Sequence, residues 1–156
     1  MSQEGTRSGQ DDRPRWADRS SVGTTGERLA AEYLKRSGYR LVASNFKVPV
    51  GRNSKGVQVT GEIDLIALDG ETLCFIEVKS RTSETFAPAI SAVDLRKQRQ
   101  ITRTARVYRR VFGITDIAFR FDVVTVVSGD EPKVEHTKNY WTEAKFRKQR
   151  WHNEFA

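Results

Sequence analysis

The sequence predicts an α/β domain built on one mixed β-sheet flanked by α-helices. Three features predict it. Two apolar, β-branched runs stand on either side of Asp69-Gly70, an amphipathic helical pattern lies on each side of that pair, and a further β-branched run follows the second helix. The resulting order is α-β-β-β-α-β with a short last strand, and such an order closes around a single sheet. At 156 residues, without internal repeats, the chain suits one domain.

Residues 1–20 are polar, rich in Gly, Ser, Asp and Arg and without periodicity, which predicts a disordered tail. The folded domain is expected over 21–141, with a basic-aromatic extension at 142–156. Thr24-Thr25-Gly26-Glu27 has the form of a capping box and Gly38 that of a terminator, so a helix is expected over about 24–37. Ala30, Tyr33 and Leu34 make its apolar stripe. Tyr39 to Lys47 reads as a strand, and the turn-rich residues 49–56 as a mobile loop. Strands are expected over about 57–68 and 72–80, joined by a hairpin turn at Asp69-Gly70 that Glu71 could share. A helix from Ser91 to Phe112, a strand from Ile117 to Val127 and a short strand from Val134 to Tyr140 complete the chain.

The formal net charge is +7, and residues 1–20 hold four basic and four acidic side chains, so the excess lies in the folded part. A basic domain points to a polyanion, nucleic acid first. The lone Cys74 excludes an internal disulfide and, within the run Leu73-Cys74-Phe75-Ile76, is expected to be buried. No stretch has the length and apolarity of a membrane span or a signal peptide, so the expected location is cytoplasmic, with no membrane partner.

Chemistry concentrates in the central pair of strands. Side chains alternate across a strand, so Glu77 and Lys79 share a face with Leu73 and Phe75, while Cys74, Ile76 and Val78 share the other. An acid and a lysine ending a strand that is apolar on both sides are costly unless paired or bound to a cation. On the neighbouring arm, alternation places Ile63, Leu65 and Ala67 on one face and Asp64, Ile66 and Leu68 on the other. Asp64 beside Glu77 brings two like charges together, a repulsion of about 4 kcal/mol at about 4 Å for an effective dielectric near 20. A divalent cation relieves it, and all-oxygen ligation by Asp64 and Glu77, with the Val78 carbonyl, suits Mg²⁺ or Mn²⁺. Lys79 is then placed to orient water or to neutralise charge developing on a phosphate. Glu27 leans toward the core side of its helix and is a fourth candidate, although its place in the capping box explains it equally well.

Taken together and in order, Thr25-Gly26-Glu27, Tyr33-Leu34, Gly38-Tyr39, Asn45-Phe46-Lys47, the run from Gly61 to Ala67, the run from Phe75 to Arg81, Arg96-Lys97-Gln98 and Arg120-Phe121-Asp122-Val123-Val124 resemble the YraN family, also called UPF0102. The resemblance covers roughly residues 22–141. It implies the restriction-endonuclease-like fold of the PD-(D/E)xK nucleases and a similarity to archaeal Holliday-junction resolvases. Glu27, Asp64, Glu77 and Lys79 then match the helix glutamate and the D…E-x-K core, and the implied activity is Mg²⁺- or Mn²⁺-dependent endonucleolytic hydrolysis of DNA, with branched or structured DNA as a candidate substrate. Junction resolvases act as dimers, so a homodimer is expected by analogy alone. The tail, a longer loop at 49–59 and the extension after Trp141 depart from the family pattern without touching the motif.

The nucleic-acid surface is expected on the second helix. Arg96, Arg99, Arg103, Arg106 and Arg110 are spaced by 3, 4, 3 and 4, along one face, opposite Ile101, Ala105, Tyr108 and Phe112. Residues 95–110 carry seven basic side chains, Lys97 among them, and no acid. Like charges this close weaken a helix by about 0.2–0.5 kcal/mol per i,i+4 pair, and a phosphate backbone reverses the sign. Lys97 and Gln98 match polar positions of the family, and the resemblance implies an approach to the scissile phosphate. Phe146 to Trp151 interleaves aromatic and basic residues, as single-strand binders do, or forms a short docked helix. His136 and His152 fit no ligand pattern. Two other readings compete with the nuclease: a non-catalytic nucleic-acid-binding module assisting repair or recombination, and a protein whose arginine helix meets an acidic protein partner.

Overall fold

The computed structural model describes residues 25–82 and 93–147. The tail at 1–20, Thr24 of the capping box, the start of the second helix at Ser91 and the segment through Trp151 and His152 lie outside the described residues. The elements are α1 (Thr25–Arg36), β1 (Arg40–Arg52), β2 (Gln58–Asp69), β3 (Thr72–Thr82), α2 (Leu95–Val111), β4 (Phe119–Ser128), β5 (Lys133–Trp141) and a 3-10 helix, Glu143–Phe146. They form one five-stranded sheet in the order β1-β2-β3-β4-β5. The pairs β1–β2, β2–β3 and β4–β5 are antiparallel, and β3–β4 is parallel, with α2 in the crossover that a parallel pair requires. This mixed sheet, with a helix against each face, has the α-β-β-β-α-β order that the sequence predicts, followed by β5. Among the described residues no helix is long and apolar enough to cross a membrane.

Both faces of the sheet are covered. Ala30, Ala31 and Leu34 of α1 close on Leu65, Ala67, Cys74, Ile76, Val124 and Val126. Ala31 takes the inward place expected of Tyr33, which is only half-buried. Ile101, Ala105 and Tyr108 of α2 close on Ile66, Leu73, Phe75, Phe121 and Val123 on the opposite face. The Trp141 ring stacks on Phe121 at 4.9 Å, and its indole N–H donates to Thr102 Oγ1 at 2.8 Å. Central strands buried on both faces read as continuous apolar runs, which is why β3 and β4 lack alternation until polar residues intervene.

Four local expectations change. Residues 49–56 are not a loop throughout: β1 continues to Arg52, Val50 is buried, and a turn at 53–57 joins it to β2. The Asn53 side chain closes that turn by accepting from the backbone N–H groups of Lys55 and Val57 at 2.9 and 3.0 Å, a local bond that outcompetes open coil. Between β2 and β3 the two turn residues are Gly70 and Glu71, because Asp69 still pairs with Thr72; Gly70 takes φ +59. The second helix begins at Leu95, capped by Asp94, whose carboxylate accepts from the Lys97 N–H at 2.9 Å. β4 starts at Phe119, after Asp116 at φ +58 and an exposed Ile117.

Candidate active site

The site forms where β2 leaves β3. Their pairing ends at Leu65 with Ile76, although β2 continues against β1 down to Gln58. Strict alternation would separate Ile63 from Ile66, yet both lie in the core on the α2 side, so β2 turns its faces between them and Ile63 does not share the face of Leu65 and Ala67. Asn45 of β1 takes φ +50 where it lies across from this step, between the pairs Ser44–Leu65 and Phe46–Ile63. Past Leu65 the backbone of β3 lacks its β2 partner, and the Asp64 carboxylate substitutes for it. Its Oδ2 accepts from the Val78 N–H at 2.9 Å. Val78 thus enters the site through its amide, fixing Asp64 against β3.

Glu77 lies beside that carboxylate and is only 4% exposed. Its Oε1 is 3.6 Å from Lys79 Nζ and 3.8 Å from Lys97 Nζ, and among the described residues its buried Oε2 has no hydrogen-bond partner. Burial pushes the Glu77 carboxyl up to about 8, and the neighbouring Asp64 adds to the rise against the opposing charges of Lys97 and Lys79. Lys79 and Lys97 are each about one-third exposed, so both ammonium groups face the opening of the site. The distance from Lys97 to Glu77 gives α2 a role beyond its arginine face: its first turn delivers a second cation to the acid pair.

Glu27 arrives from the other face of the sheet. The α carbon of Gly26 packs against the Ser80 side chain, so the first turn of α1 abuts the end of β3 and Glu27 stands at the same end of the sheet as Asp64 and Glu77. Among the described residues no group of three or more His, Cys, Asp or Glu side chains is gathered to hold a metal ion; the structure brings together a carboxylate pair.

The five arginines of the α2 stripe are exposed, as their spacing requires. They are not all bare. Arg106 pairs with Glu143 at 3.3 Å, Arg99 lies over the Phe146 ring, and the Arg103 guanidinium rests against Gly51. Arg109, off the stripe, pairs with Glu143 at 2.8 Å and covers the Phe119 ring at 3.9 Å. Gln98 turns inward instead of toward a phosphate: it is buried, donates to the Val93 carbonyl and accepts from Lys145 Nζ. Phe146 joins the core on the α2 side.

A second polar cluster escaped the sequence reading. Asp122 is fully buried on the α1 face of β4 and accepts from Arg120 Nε at 2.9 Å, the Asn139 N–H at 2.9 Å and His136 Nε2 at 2.8 Å. Arg120 also reaches Asp69 at 2.9 Å and the Tyr39 hydroxyl at 2.7 Å. The available signal was an Arg and an Asp two residues apart on an otherwise apolar strand, which places both on one face.

Comparisons with known proteins agree with the residue pattern. The profile described as "Uncharacterised protein family UPF0102" matches residues 26–126. A UPF0102 protein of Alkaliphilus metalliredigens is 36% identical over 119 residues, covering 76% of this chain and 96% of the relative. Another, from Geobacter sulfurreducens, is 40% identical over 120 residues, covering 76% and 86%. Among solved structures, the crystal structure of SSO0001 aligns with a TM-score of 0.36 and 16% identity, over 76% of this chain and 51% of that one. Motif order, profile and relatives converge: the chain belongs to the UPF0102 family.

Proposed function

We propose that the protein is a divalent-cation-dependent phosphodiesterase acting on DNA. The observation that carries this reading is the Asp64–Glu77 pair, two carboxylates side by side at a strand divergence, with the ammonium groups of Lys79 and Lys97 at their opening. The residues fit a hard cation. Among the described residues Glu77 Oε2 is buried without a hydrogen-bond partner, Asp64 is pinned by the Val78 amide, and Mg²⁺ sites commonly take one or two carboxylates and complete their shell with water and substrate phosphate. When bound, such a cation supplies Lewis-acid charge at a phosphoryl oxygen and acidifies water at neutral pH.

The chain's own residues do the remaining work. Asp64 and Glu77 hold two carboxyl groups at a fixed point, and the Val78 amide prevents Asp64 from turning away. Lys79, flexible and one-third exposed, is placed to orient a water molecule and to offset charge accumulating on the phosphate oxygens. Lys97 holds the outer side of Glu77 and can move to a phosphate without leaving α2. The exposed α2 arginines provide sequence-independent phosphate contacts. A non-catalytic binding module is the second reading, favoured by one observation: both lysines already lie against Glu77 Oε1, and among the described residues no third acid completes the group.

The experiment is cleavage of labelled linear, flapped and four-way-junction DNA with Mg²⁺, Mn²⁺ or EDTA. Wild type is expected to cut only with a divalent ion, and Asp64→Ala and Lys79→Ala to lose at least about 100-fold in rate. Salt-sensitive binding with no cutting by any form would leave the binding module as the function.

A further inference from the structure

Beyond residue 64 the β1–β2 pair becomes an arm that β3 does not support. Among the described residues, β2 residues 58–64 pair with β1 alone, and the ladder continues to Arg52 with Gln58. Seven residues at about 3.3 Å each give the arm a reach of at most about 23 Å from Asp64. Such a two-stranded ribbon is marginal alone. Here α2 braces it: Gly61 is packed against Thr104 and Val50 so closely that a Cβ there would collide with both, and Gln100 Nε2 donates to the Thr60 carbonyl at 3.2 Å. The tip is closed by Asn53 and by Arg52, whose guanidinium donates to the Gly56 carbonyl at 2.7 Å.

At its root Lys47 stands opposite Glu62, and beyond that pair the charge of the arm is one-sided. Residues 48–61 contain Arg52 and Lys55 and no acid, and both are exposed. The Arg103 guanidinium lies against Gly51, so the α2 arginine stripe runs into the arm without a break. The arm is rooted at Asp64 itself, and it coincides with the segment in which the chain departs from the pattern it otherwise resembles.

We infer that the β1–β2 arm is a second nucleic-acid contact, gripping the phosphate backbone of duplex DNA through Arg52, Lys55 and Arg103 on one side of the acid pair. This deepens, and rests on, the reading of the site as a DNA phosphodiesterase. At about 3.4 Å per base pair the arm spans about seven pairs. Its contacts are to phosphate, so they position the duplex and carry no base preference.

The test is duplex binding in EDTA, by fluorescence anisotropy of a labelled 24-base-pair duplex across a salt series. It compares wild type, Lys55→Glu, and the double variant Arg52→Gln/Lys55→Gln. Lys55→Glu leaves both Asn53 bonds and the Arg52 bond intact and therefore keeps the arm folded. The double variant is expected to lose about two from the slope of log K against log salt, and affinity on the order of tenfold at 0.1 M salt. Lys55→Glu is expected to weaken binding at least as much as loss of one contact. Wild-type affinity and slope in both variants would overturn the inference, as would a wild type that binds no duplex. Arm-dependent binding by a protein that never cuts would sustain the arm and defeat the nuclease reading, so the two fail separately.

Discussion

Glu77 sits where ordinary packing gives it little support. Its carboxyl is held in a nearly water-free position, next to the carboxylate of Asp64, and one of its oxygens lacks a hydrogen-bond partner among the described residues. An unsatisfied buried polar atom costs about 1–3 kcal/mol. Because its folded pKa is raised, from about 4.5 to about 8, the stability it permits is complete below the ordinary glutamate range and lost as pH rises through about 8. Glu77→Gln is therefore expected to raise Tm in EDTA at pH 8–9, by about 2–4 °C per kcal/mol regained, with little difference from wild type at pH 4. Equal melting temperatures across that range would show that Glu77 is not strained. His136 carries a different lesson. Isolated in sequence, it is a buried partner of Asp122, and no spacing rule links residues on neighbouring strands.

At the scale of elements, the β1–β2 hairpin and α2 depend on one another. Gly61 permits contact between them: its α carbon faces Thr104 and Val50 where a methyl group has no space. Gly61→Ala is expected to destabilise the fold by about 1–3 kcal/mol, read as a lowered urea midpoint, and Thr104→Ala in the same chain to recover part of it. No recovery would mean that the arm yields independently of α2. Gly61, in the run from Gly61 to Ala67, was visible as a sequence motif, but its purpose was not, because close approach is a property of two elements. The helix presents the converse case. Its arginine face was legible from spacing alone, whereas the turn of Gln98 into the core and the reach of Lys97 to Glu77 follow from where its first turn docks.

Across the whole molecule, the Asp122 cluster ties β4 and β5 to the end of β2 and to Tyr39 beyond α1. Burial alone would raise the Asp122 carboxyl, but bonds from His136, Arg120 and the Asn139 amide outweigh it and hold the group below the ordinary aspartate range. A depressed folded pKa contributes stability that is present above the unfolded value, near 3.9, and is lost as pH falls through the folded one. Asp122→Asn is expected to cost on the order of 3 kcal/mol at pH 7, since it removes the buried one of the two acids that pair with Arg120, Asp69 and Asp122, and this cost should shrink as pH falls below the aspartate range. Urea midpoints of both proteins against pH check this; a pH-independent difference would remove the charge from the explanation.

The sequence by itself determined the layered α/β order, the doubly buried central strands, the D…E-x-K motif and the arginine face, because each is written in the period of a single element or in one ordered motif. Tertiary structure decided the rest. The parting of β2 from β3, the capture of Asp64 by the Val78 amide, the arrival of Lys97 at Glu77 and the braced arm all need two or three elements in register. Periodicity along one strand or helix states which face a side chain takes, but not what the next element places opposite it.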